Sequence, residues 1–112
     1  MWFADSEHEK VYARLCEKAQ VKEGEREYRS ALYVLATLEK PVEQYIVPQE
    51  IDFEALIKAA GPWSSGEKSL VKLAASVFNS CIWKASLDNI FYCLDARNCQ
   101  VALEALKIRY QI

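Results

Sequence analysis

His8 is the only imidazole among 112 residues, and Cys16, Cys81, Cys93 and Cys99 are the only thiols. A cysteine nucleophile needs an adjacent base. A metal site needs three or four ligands, usually in paired spacing such as C-x-x-C. Neither arrangement is legible here. There is no second histidine and no C-x-x-C pair, and His8 sits between Glu7 and Glu9 at the start of a helical pattern. The expectation is a hydrogen-bonded helix histidine near the bundle surface and reduced, mostly buried thiols. No catalytic residue, metal or cofactor is assigned.

Ser64-Ser65-Gly66-Glu67-Lys68 has the look of an ATPase signature loop, where a helix N-terminus faces a phosphate. No G-x-x-x-x-G-K-[ST] loop accompanies it, and no G-x-S-x-G elbow for serine hydrolysis occurs. Ser64 with Glu67 three residues on is a capping box that starts a helix. The carboxylates of the first forty residues alternate with Lys and Arg, the pattern of a solvated helix face.

Two binding chemistries remain. The aromatics Trp2, Trp63, Trp83 and Tyr110 lie where caps and turns bring the chain to the surface, and such residues anchor protein interfaces. Residues 86–107 read as a short capped helix, a turn and a longer helix, the outline of a helix-turn-helix. In that reading Arg97, Asn98 and Gln100 face base edges while Lys107 and Arg109 meet phosphates. Phe91 or Tyr92 stands where such a unit has a small residue, and Asp95 where glycine is common.

Charge weighs against nucleic acid. The net charge is -2, with 12 acids against 8 bases before Glu67 and 4 against 6 from there on. Hydrophobic residues make up 52% of the chain and charged residues 27%, the composition of one ordered globular domain spanning residues 1–112. Met1-Trp2-Phe3-Ala4-Asp5 lacks a basic leader, and no apolar run reaches about 18 residues. A cytoplasmic protein with no membrane contact is expected.

Every element that must position these residues reads as helical. Asp5 or Ser6 caps a first helix to about Ala19, with Glu9 completing a box on Ser6. A second runs from about Glu25 to Glu39, and short helices cover Pro41–Ile46 and the stretch from Asp52 to Gly61-Pro62. Residues 66–83 are apolar nearly all round, which marks the central helix of a bundle. Ser86 caps Leu87–Cys93, and Asp95 caps Ala96–Tyr110. Val47 and Ile82–Ala85 are the only places suited to a short strand. The predicted core is Tyr12, Leu15, Leu32, Leu35, Phe53, Leu56, Leu70, Leu73, Ala74, Val77, Phe78, Ile90, Val101 and Leu106.

Certain residues also carry a resemblance. They are Phe3, Glu7-His8 and Tyr12, then Ser65, Glu67, Leu70, Leu73-Ala74 and Phe78-Asn79. Near the end come Leu94-Asp95, Asn98, Val101 to Ala105 and Ile108-Arg109-Tyr110. On these the chain resembles a family of small uncharacterised helical proteins from Gram-positive bacteria and their phages or mobile elements. Residues 20–62 have no clear counterpart, and Ser80 stands where family members have glycine. The resemblance implies a genomic setting and no chemistry.

The resulting expectation is an all-α single domain of five or six helices around residues 66–83. It is a non-enzymatic protein-binding module that acts on a host protein or by forming a homodimer. The alternative is a small DNA-binding regulator using residues 86–107.

Overall fold

Five side chains start five of the six helices. Each accepts a hydrogen bond from the backbone N–H three residues on, which satisfies a donor the helix leaves open. Asp5 opens α1 (Ser6–Ala19), Asp52 opens α3 (Phe53–Ala59) and Ser64 opens α4 (Ser65–Phe78). Ser86 opens α5 (Leu87–Phe91) and Asp95 opens α6 (Ala96–Tyr110). The box at α4 is complete, because the Glu67 carboxylate also accepts from the Ser64 N–H at 3.0 Å. At α1 the cap is Asp5, and the box on Ser6 does not form. Only α2 (Arg26–Leu35) lacks a side-chain cap. It is led in by a turn at Gly24, whose φ of 86° suits glycine.

The computed structural model describes all 112 residues and is an all-α domain with one minimal hairpin. In the hairpin β1 (Ile46–Val47) pairs antiparallel with β2 (Glu50–Ile51), Ile46 opposite Ile51. The expected helix over Pro41–Ile46 is only a single 3-10 turn, Glu43–Tyr45. Val47 does lie in a strand, whereas Ile82–Ala85 does not.

The centre of the bundle is shared. α4 is a core helix, with Leu70, Val71, Leu73, Ala74, Ala75 and Val77 buried. It stops at Phe78, five residues before the predicted end. Asn79 is the reason: its side-chain oxygen accepts from the N–H groups of Cys81 and Ile82, offering the backbone a turn in place of another helical turn. α2 is the more enclosed helix. Every residue from Ser30 to Ala36 is buried, because α1, α4 and α6 all pack on it. α2 ends at Leu35, earlier than predicted, and α5 ends at Phe91. Of the fourteen predicted core residues, eleven are buried, while Tyr12, Phe78 and Leu106 are half-buried against the same core.

Candidate protein interface

The four aromatic candidates sit in four different settings. Trp2 lies in the segment before α1, where its N–H faces Glu104 at 3.4 Å and its carbonyl accepts from the Tyr33 hydroxyl at 2.6 Å. Trp63 is half-buried between α3 and α4, with the Lys40 ammonium 5.7 Å from its ring centre. Trp83 follows α4 and packs on Phe53 with ring centres 6.5 Å apart. Tyr110 ends α6 under the Arg109 guanidinium and is 52% exposed. The ring contacts form two clusters, Phe3–His8–Tyr12–Tyr33 and Tyr28–Phe78–Phe53–Trp83. Only Trp83 of the four candidates belongs to either, so they do not make one patch.

Other large apolar side chains are exposed close together in sequence. Ile82 is 66% exposed, Leu87 74% and Tyr92 83%. All three belong to the segment between α4 and α6. Reading by residue type did not single them out. Leu87 and Ile90 are three residues apart, a spacing that puts both on one helix face, yet Ile90 is buried and Leu87 exposed. Next to Ile82 is a small cleft of about 140 Å³, bordered by Ile57, Ile82, Trp83 and the stems of Lys72 and Lys84.

The DNA-contact candidates are divided by the packing of α6. Val101, Ala102 and Ala105 form its buried face. Asn98 is half-buried, and Arg109 donates from Nε to the Val77 carbonyl at 2.8 Å. Arg97 is paired with Asp5 at 3.2 Å. Only Gln100 and Lys107 point to solvent without a partner. The five side chains do not present one surface to a groove.

His8 is buried to 2% exposure, deeper than its sequence context indicated. It lines a cleft of about 600 Å³ between α1 and residues 36–43. Its Nδ1 accepts from the Ala4 N–H at 3.1 Å, so its Nε2 carries the proton and donates to the Tyr33 carbonyl at 2.8 Å. A backbone N–H only donates and a carbonyl only accepts, which fixes this neutral tautomer. Burial lowers the His8 pKa below its ordinary value, outweighing the hydrogen bond to Tyr33 and the nearby Asp5 carboxylate. Both ring nitrogens are committed to backbone.

The thiols are spread over the molecule and unbridged. Cys16 and Cys99 are half-buried, and burial raises the Cys16 pKa. Cys81 and Cys93 are exposed, contrary to expectation. The reason is that α4 and α5 end before reaching them. No three His, Cys, Asp or Glu side chains converge in a metal-holding group.

No helix is long and apolar enough to cross a membrane. Comparison with protein-family models, curated proteins and solved structures finds no match to this chain.

Proposed function

We propose that this chain is a non-enzymatic protein-binding module that docks through the segment between α4 and α6. One observation carries the reading: Ile82, Leu87 and Tyr92, each two-thirds or more exposed, within a single connection. A large apolar side chain gains roughly 1.5–3 kcal/mol when fully buried. Three large apolar side chains left exposed along one connection exceed the scatter of single exposed residues that is ordinary on a surface. The resemblance to proteins of phages and mobile elements makes a host protein the partner in this proposal, with a second copy of the chain as its simplest form. A DNA-binding role for residues 86–107 draws no support from the placement of its five contacts.

The test is a triple substitution, Ile82→Ser, Leu87→Ser and Tyr92→Ser. These side chains contribute little to the core, so the melting temperature should stay close to that of the unaltered protein. Retention of a stoichiometric protein from a bacterial lysate, or a dimer mass in light scattering, should be lost. Retention unchanged by the triple substitution sinks the proposal. So does an unaltered protein that is a strict monomer and holds nothing.

A further inference from the structure

The cleft beside Trp83 narrows the chemistry of the partner, and this step rests on the protein-binding reading above. It is an open surface cleft of about 140 Å³, close in volume to the ~150 Å³ that holds one benzene ring in an enclosed cavity. It therefore has room for one ring or one branched aliphatic side chain. Its walls are Ile57, Ile82, the Trp83 ring and two alanines, and its only charged border is Lys72 from α4 and Lys84 from the loop. No acidic residue lines it. Both lysines are exposed and neither takes part in an ion pair, although the protein as a whole is acidic. Two uncompensated ammonium groups on an apolar slot repel a basic segment and attract carboxylates.

We infer that the occupant of this slot is an acidic peptide segment of another protein, which inserts a single apolar side chain beside Trp83 and sets its carboxylates against Lys72 and Lys84. The slot supplies the anchor and the lysines supply the selection. The charges are at the rim, so they act mainly on the encounter rate and on salt dependence.

A displayed library of random peptides, selected on the full chain, tests this directly. Selected sequences should be rich in Asp and Glu around one large apolar residue. A synthetic peptide of the selected sequence should shift the Trp83 indole resonance. It should bind about tenfold more weakly to Lys72→Glu/Lys84→Glu, since each rim pair contributes a modest share. Selection on that variant should turn toward Lys and Arg. Enrichment without acidic bias, or binding indifferent to the two charge reversals, overturns this inference. If such binding is still lost in the triple serine variant, the docking segment stands and only the acidic occupant falls. A dimer that persists in the charge-reversed variant but is lost in the triple serine variant also overturns it, by assigning the face to a second copy. If no peptide is enriched on the unaltered chain, the acidic occupant falls, and the docking segment stands or falls on the triple serine variant alone.

Discussion

The His8 ring and the Tyr33 backbone carbonyl are joined by a 2.8 Å hydrogen bond across 25 positions of sequence, with the two rings 4.6 Å apart. This bond needs a proton on Nε2, while the bond from the Ala4 N–H needs the lone pair of Nδ1. Adding a second proton places an Nδ1–H against the Ala4 N–H. The buried ring is therefore a lock on residues 1–5 that favours the neutral state.

That geometry sets a pH dependence. Burial depresses the folded His8 pKa below the 6.5 of an unfolded histidine. Between the two values the unfolded chain binds more protons, so stability is complete above 6.5 and falls as pH drops through the folded value. Denaturation at about pH 7.5 and about pH 5.5 should show the loss, and His8→Gln should flatten it. An equal slope in the variant would assign the effect to another group. Asp5 and Glu67 act at lower pH, because backbone hydrogen bonds hold their carboxyls below 3.8 and 4.5.

Tyr33 holds the same segment a second time, through its hydroxyl on the Trp2 carbonyl. Tyr33→Phe removes that bond and leaves the carbonyl contact to His8 intact. The expected cost is about 1 kcal/mol. Amide exchange should quicken at Phe3 and Ala4 and remain slow in α4. Uniform acceleration everywhere would mean the bond supports the whole core and not this segment.

Two glutamines with the same backbone should respond in opposite ways to glycine. Gln20 and Gln49 both sit in the left-handed region, at φ 53° and 61°. Gln20 closes α1 with its backbone only, so Gln20→Gly should stabilise by about 0.5–1 kcal/mol. The Gln49 side chain donates to the Gln20 carbonyl at 2.6 Å and also reaches Glu25. Gln49→Gly should therefore destabilise. Urea midpoints of the two variants settle the comparison, and a shift of the same sign in both contradicts it.

Phe78 is wedged between Tyr28 and Phe53, with ring centres at 4.9 and 5.4 Å. Phe78→Ala should cost about 3 kcal/mol and lower the melting temperature by several degrees. An unchanged melting temperature would mean that this ring cluster adds nothing to stability.

Helix starts were legible because capping is local chemistry. Asp52, Ser64, Ser86 and Asp95 each declare a start within four residues, and the structure uses all four. Helix ends were read unevenly: Ala19 and Tyr110 end their helices as predicted, whereas α2, α4 and α5 stop short. Nothing in the apolar pattern of residues 66–83 says that Asn79 will turn the chain, since that depends on a side chain competing with the backbone. The enclosure of α2 was hidden by Ser30 and Tyr33, whose polar groups suggest solvent. In the fold the hydroxyls of Ser30 and Tyr33 find backbone carbonyls while their bodies stay in the core. The hairpin was obscured because Pro48-Gln49 is not a glycine turn, and Gln49 adopts the left-handed conformation while its side chain bonds the end of α1. The docking segment was only partly readable. Trp83 was named from residue type, whereas Tyr92 lies past the end of α5, two positions from buried Ile90, and Leu87 is exposed despite the spacing that would put it on the Ile90 face.

The fastenings of the first five residues have a consequence for the chain as it is being made. Synthesis runs from the N-terminus, yet every group that holds this segment across the fold comes later: Tyr33, then Arg97, then Glu104. The C-terminal end of α1 waits likewise for Gln49. Residues 1–5 are thus made before any of the groups that fasten them across the fold. Until α6 is complete, His8 and Tyr33 can hold this segment but Arg97 and Glu104 cannot.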